Sequence, residues 1–359
     1  MDIEPFGLER WFAEHEHGAD VMLAESGIRS LQADRFALDP GALGYVIPTN
    51  GDPAFRAAVG ERYDRSADEV LFTCGTQEAN FVTLQALLDE DDHAVVVTPT
   101  YQALHAVPEA VADVTRVPLE PPDWELDVDA VAGAMRPETR VVVLANPNNP
   151  TGRYHPPETV AALYDLAADG DAYLLCDEVY RLLADEPIEP VAAMGERGIS
   201  TAGLTKAYGL AGLRFGWVAG PPDVVEAAWT WKDYTTISPS TVGQHVARQA
   251  LGEQEEDILA ENRALARRHH DRVAAFLDEH GLDWYDPVGV NGFVTVPDGF
   301  ADAREFCTAV VEAESVVLAP GDLFGEPDHL ADYFRIGFGL PTDELERGLE
   351  RVGRVIERR

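Results

Sequence analysis

Only two lysines, Lys206 and Lys232, stand against 64 Asp and Glu in this chain of 359 residues. One of them lies in GLTKAYGLAGLRFGWVAG (203–220), a run of glycines and apolar residues with Arg214 eight positions downstream. A lysine amine among apolar neighbours loses the solvent that stabilises its charge. Its pKa then falls toward the range where it serves as a nucleophile or as a general base and acid. Lys232, in WTWKDYTT, has no such surroundings and is expected at the surface or in an ion pair. Asp177 ends the apolar run AYLLC, where a carboxylate without a partner is costly. Arg214 carries a planar fork that suits a phosphate bidentately. In CGTQEA (74–79), Gly75 makes a tight turn into a helix, so the amides of Thr76 and Gln77 can take a phosphate at a helix N-terminus. NPNNPTG (146–152), which holds Asn149, is strong turn chemistry.

These residues need a frame. Between about 68 and 220, short apolar runs (EVLFT, AVVVTP, RVVVLANP, AYLLCDE, LRFGWVAG) alternate with segments of helical period such as QEANFVTLQALL and PPETVAALYDLAAD. All-apolar strands alternating with helices predict an α/β fold, a mainly parallel sheet covered on both faces. Such sheets bind ligands at the carboxyl ends of their strands, where TCGTQEA, TPTY, NPNNPTG and DEVY all fall. Their convergence predicts a single site. The C-terminal third differs: a long charged helix over about 254–280 precedes the strand-like VNGFVTVP, SVVLAPG and DYFRIGFG and the helical AREFCTAVVEA. This part reads as a smaller α+β unit joined by roughly the first 40 residues.

Together NPNNPTG, DEVY and LTKAYGLAGLRFGW resemble the class I/II aminotransferases, pyridoxal-phosphate enzymes of fold type I, and the likeness runs from about Tyr45 to FRIGFG at 334–339. The resemblance implies a large domain with a mostly parallel seven-stranded sheet over 45–245, and a small α+β domain from 1–44 with 246–359. It implies that Lys206 forms the Schiff base with pyridoxal 5'-phosphate and then moves the substrate's proton. Asp177 would face the pyridine nitrogen, Tyr101 would stack on the ring, and Asn149 and Tyr180 would bond the phenolic oxygen. Gly75, Thr76, Gln77 and Arg214 would hold the phosphate, and Arg335 the substrate α-carboxylate. The family places Ser or Thr three residues before the lysine; here it is Gly203, with Thr205 as the alternative phosphate contact. Tyr45 resembles a tyrosine that reaches the partner subunit's phosphate in a homodimer, with one residue more before Gly51 than the family's spacing. Gly27 and Ile28, in LAESGIRSL, occupy the place of a loop that covers the substrate.

The activity implied is transfer of an amino group from an amino acid to a 2-oxo acid. Alternatives with the same cofactor are β-elimination or a cyclising or oxidising reaction like that of capreomycidine synthase, and less strongly histidinol-phosphate transamination. A non-catalytic regulator would need a basic DNA-binding appendage, and none is evident. The net charge of −37 opposes binding to nucleic acids or anionic membranes. Its even spread, with Arg outnumbering Lys, resembles proteins of salt-loving archaea. No apolar run is long enough to span a bilayer and no secretory signal is evident, so a cytoplasmic location is expected. Cys74, Cys176 and Cys307 lack metal or disulfide spacing. His15 and His17 in EHEH would not share a helix face, so no metal site is expected. RRHH (267–270) is expected on a solvated helix face.

Overall fold

The computed structural model describes residues 2–325 and 330–359. Seven strands form its larger sheet: β1 (Val70–Thr73), β2 (His93–Thr98), β3 (Asp113–Pro118), β4 (Thr139–Ala145), β5 (Tyr173–Asp177), β6 (Gly198–Gly203) and β7 (Gly216–Ala219). Their order is β1-β7-β6-β5-β4-β2-β3. β7 runs antiparallel to both β1 and β6, and the other pairs are parallel. Side chains alternate across a strand, so a sheet covered on both sides needs apolar residues at every position. That is what β4 and β5 supply: Val142, Leu144, Leu174 and Cys176 enter one core, Val141, Val143 and Leu175 the other. Two strands lack this signature. β3 is a half-exposed edge, and β6 (GISTAG) is buried but built from small residues.

The helices are α1 (Gly7–His15), α2 (Pro53–Gly60), α3 (Thr76–Leu87), α4 (Ala103–Glu109), α5 (Val128–Ala134), α6 (Pro157–Asp169), α7 (Pro222–Lys232), α8 (Thr241–Ala250), α9 (Glu255–His280), α10 (Ala303–Glu314) and α11 (Thr342–Glu357). α3, α4 and α7 supply apolar residues to one face of the sheet. Gly75 caps the start of α3, and its φ of 83° is left-handed and suits glycine. A second, antiparallel sheet has the order β8 (Asn291–Thr295), β10 (Tyr333–Gly337), β9 (Ala319–Pro320). The N-terminal segment lies along it. Val21 bridges Val316, the Gly337 amide donates to the Leu23 carbonyl, and Trp11 Nε1 donates to the Leu318 carbonyl at 2.8 Å.

α9 ends at Gly281 in the left-handed conformation, a usual helix stop. Its RRHH stretch departs from the expected solvated face. His269 is fully buried, its ring nitrogens bonded to the Phe338 carbonyl and Thr342 Oγ1, so it ties α9 to β10 and α11. A helix packed on one side must bury some residue of any four in a row.

Candidate active site

The carboxyl ends of β1, β2, β4, β5 and β6 open on one cavity of about 410 Å³. Thr76 and Gln77 enter it from the start of α3, Tyr101 from the loop after β2, and Asn149 from the loop after β4. Asp177 and Tyr180 come from the end of β5, and Thr205 and Lys206 from the turn after β6. Arg214, just before β7, lines it too, and so does Arg335 from the middle of β10. The NPNNPTG loop is held rigidly. The Asn146 amide donates to the Asp177 carbonyl, and Asn148 Nδ2 donates to the Pro99 carbonyl at 3.0 Å.

Lys206 Nζ donates to Ser26 Oγ at 3.0 Å. Burial desolvates it and lowers its pKa to about 8, opposed by the nearby Glu25 carboxylate. Asp177 is buried, which raises its pKa; Asn80 Nδ2 donates to its Oδ2 at 2.8 Å and the Val179 amide to its Oδ1 at 3.1 Å. Thr201 Oγ1 in turn donates to Asn80 Oδ1 at 2.6 Å, fixing the amide's orientation. Asn80 escaped the sequence reading. Its one signal was a position four residues after Thr76, on the same face of α3.

Arg335 is 1% exposed, a buried guanidinium whose hydrogen-bond acceptors are all neutral. Nη1 donates to Asn149 Oδ1 at 2.9 Å, Nη2 to the Ala24 carbonyl at 2.5 Å, and Nε has no partner among the described residues. Burial lowers its pKa, and such a cation calls for an anion. Tyr180 Oη is buried without a hydrogen bond of normal geometry among the described residues, although Ser26 stands beside it. Burial raises the pKa of both Tyr180 and Tyr101.

Gly75 does not line the cavity but shapes its floor: a Cβ there would lie 2.5 Å from Arg214 Nη2. Arg214 takes a left-handed backbone (φ 52°), and its Nη2 donates to the Cys74 carbonyl at 3.3 Å, above that turn. Thr76 Oγ1 is buried and unpartnered among the described residues. Gly203 pairs with Gly216 across β6 and β7, and a Cβ on Gly203 would lie 2.6 Å from Thr76 Oγ1. The glycine thus makes room for the Thr76 hydroxyl.

Gly27 and Ile28 lie outside this cavity, in an adjoining one that shares Glu25, Thr205 and Lys206 with it. Tyr45 is 73% exposed and lines neither cavity. Lys232 departs from the surface or ion-paired position expected of it. It is fully buried at the end of α7, its Nζ without a salt bridge or hydrogen bond among the described residues. α7 packs on α3, and burial lowers the lysine's pKa against the attraction of Glu78. α1 supplies Leu8, Glu9 and Phe12 to the cavity wall, a contribution invisible in the sequence because it comes from the far end of the chain.

The residues present fit a phosphorylated pyridine aldehyde. An amine with a lowered pKa, a carboxyl with a raised one, and unpartnered buried hydroxyls on Tyr180 and Thr76 all belong to residues that line one space.

Comparison with known proteins agrees. Residues 19–352 match the family model described as aminotransferase class I and II. The chain is 33% identical to the capreomycidine synthase of Streptomyces vinaceus, over 96% of this chain and 92% of that one. It is 30% identical to the aspartate/prephenate aminotransferase of Thermus thermophilus, over 91% of this chain and 87% of that one. A pyridoxal-phosphate-dependent aminotransferase from Streptococcus suis superposes with a TM-score of 0.93 at 29% identity, covering 100% of this chain and 99% of that one. On its fold, its site and these likenesses, the chain belongs to the class I and II aminotransferases, enzymes that work through pyridoxal phosphate.

Proposed function

We propose that the chain transfers an amino group from an amino acid to a 2-oxo acid. The observation that carries this reading is the convergence of Lys206, Asp177 and Arg335 on one cavity. When bound, pyridoxal phosphate supplies an aldehyde that captures amines and a ring that takes up the electron pair left at a substrate Cα. Thr76, Thr205, Arg214 and the amide of Gln77 would hold its phosphate. Tyr101 would lie against the ring. Asn149, whose Nδ2 is unused among the described residues, and Tyr180 would donate to the phenolic oxygen. Asp177, whose pKa burial raises, would hold a proton at the ring nitrogen, with Asn80 fixing the carboxyl. Arg335 grips the α-carboxylate, which removes the cost of its buried charge. Lys206 would hold the aldehyde and would move the proton at the substrate Cα; a pKa of about 8 suits it to both duties.

Leu43, Tyr45, Ile47 and Tyr234 are exposed apolar residues, and the segment of the first three is tied down where Thr241 Oγ1 donates to the Gly44 carbonyl and Trp229 Nε1 to Thr49 Oγ1. This supports a homodimer in which Tyr45 serves the partner's phosphate. A second reading, cyclisation or elimination on an amino acid with no net amino transfer, draws on the likeness to capreomycidine synthase. Incubating the enzyme with an amino acid and 2-oxoglutarate separates the two. Transamination yields glutamate and a new 2-oxo acid; ammonia or a ring product without glutamate would establish the second reading instead.

A further inference from the structure

The cavity holds more negative charge than the reaction needs. Among the described residues lining it, the cations are Lys206, Arg214 and Arg335 and the acids are Glu9, Glu16, Glu25 and Asp177. The roles proposed above occupy Arg214 with phosphate, Arg335 with the α-carboxylate and Asp177 with the ring nitrogen. Glu9, Glu16 and Glu25 are left over. None of the three side chains makes a salt bridge or hydrogen bond among the described residues. Glu9 and Glu16, seven apart and two turns along one side of the N-terminal segment, are exposed residues that line the cavity together with Leu8 and Phe12. The other end of the cavity is fixed independently. Arg335 and Tyr180, 1% and 4% exposed, line it, and Arg335 Nε and Tyr180 Oη are buried without hydrogen-bond partners among the described residues. The carboxylate end of an amino acid therefore goes to Arg335, and its side chain is left to the wall built by α1.

We propose that this wall selects an amino acid whose side chain carries a second cation, a guanidinium or an ammonium, with Glu9, Glu16 and Glu25 as its counter-charges. The proposal rests on the amino-acid reading of the site given above. Leu8 and Phe12 provide apolar surface for the methylene stem, and the glutamates receive the charged tip. Glu9 and Glu25 already act on Lys206 and Arg335, so their charge reaches the reacting centre. A dicarboxylic amino acid would set its second carboxylate against like charges, a juxtaposition that works against binding.

The test uses the holoenzyme at one fixed salt concentration. Change in the bound cofactor's absorbance is followed with arginine, ornithine, citrulline, norvaline, aspartate and glutamate. Citrulline keeps the shape of arginine without its charge. We expect kcat/KM for arginine or ornithine to exceed that for citrulline and norvaline by at least about tenfold, and aspartate and glutamate to be the poorest. In Glu9→Gln and Glu16→Gln, whose cofactor absorbance reports that they are folded and loaded, the arginine-to-citrulline ratio should fall toward one. A preference for aspartate or glutamate, or a ratio unmoved in both variants, overturns the proposal while leaving the amino-acid reading intact. If none of the six perturbs the absorbance, both fall.

Discussion

Lys206 shows how much chemistry one desolvated amine can carry. Its pKa of about 8 lies below the ordinary 10.5 because the cavity wall replaces water around it. The sign of the effect on stability follows. Between the two values the unfolded chain holds more protons than the native one, so the lysine's penalty is full below pH 8 and disappears as pH rises toward 10.5. Apo Lys206→Met is therefore expected to be more stable than the apo wild type at pH 7, by up to about 3 kcal/mol. The gap should close between pH 8 and 10.5, as read from urea unfolding of both apoproteins. Buried groups with raised pKa values, such as Cys176 and Tyr63, contribute equally to both proteins and cancel. At this scale the sequence was informative wherever a chemical type stood out against its surroundings: a lysine in an apolar run, an aspartate at the end of a buried strand. It was silent on Asn80 and Ser26, whose importance lies in what they touch.

Among the elements, the turn from β1 into α3 depends on three glycines far apart in the chain. Gly75 turns beneath Arg214, while Gly203 and Gly216 face each other across the ladder beneath Thr76. On Gly216, a Cβ would lie 2.5 Å from the Gly75 carbonyl carbon. Gly203→Ser, which restores the residue type usual in the family, should therefore harm this protein. Its Cβ would stand 2.6 Å from Thr76 Oγ1 and 2.9 Å from the Phe215 carbonyl oxygen. Overpacking of this kind costs roughly 1–3 kcal/mol. We expect a lower Tm and, from absorbance titration, a Kd for pyridoxal phosphate raised about tenfold; equal or tighter binding would show that the loop yields. β2, β4 and β5 were legible because strands buried on both faces are apolar throughout. β6 was not, since packing against the site selects small residues there, and edge strand β3 lacks a sharp pattern. Lys232 shows the same limit, because α7 brings it against α3 in a way no local pattern announces.

For the molecule as a whole, the dominant fact is 64 acidic residues against 27 basic ones. Many surface arginines are already paired, among them Arg35 with Glu261 and Arg354 with Glu314. The excess acids repel one another, and salt screens that repulsion over ever shorter distances. Tm is expected to rise by roughly 10 °C or more between dilute buffer and about 3 M KCl, followed by circular dichroism. A flat profile would mean that the local pairs already balance the surface.

On the proposed reading, the amine of Lys206 is the centre of the site. Reduction of the holoenzyme with borohydride, followed by proteolysis and mass spectrometry, tests that claim most directly. The account expects the pyridoxyl group on the peptide that contains Lys206, and its loss in Lys206→Ala. Label on Lys232, or label retained in that variant, would contradict it.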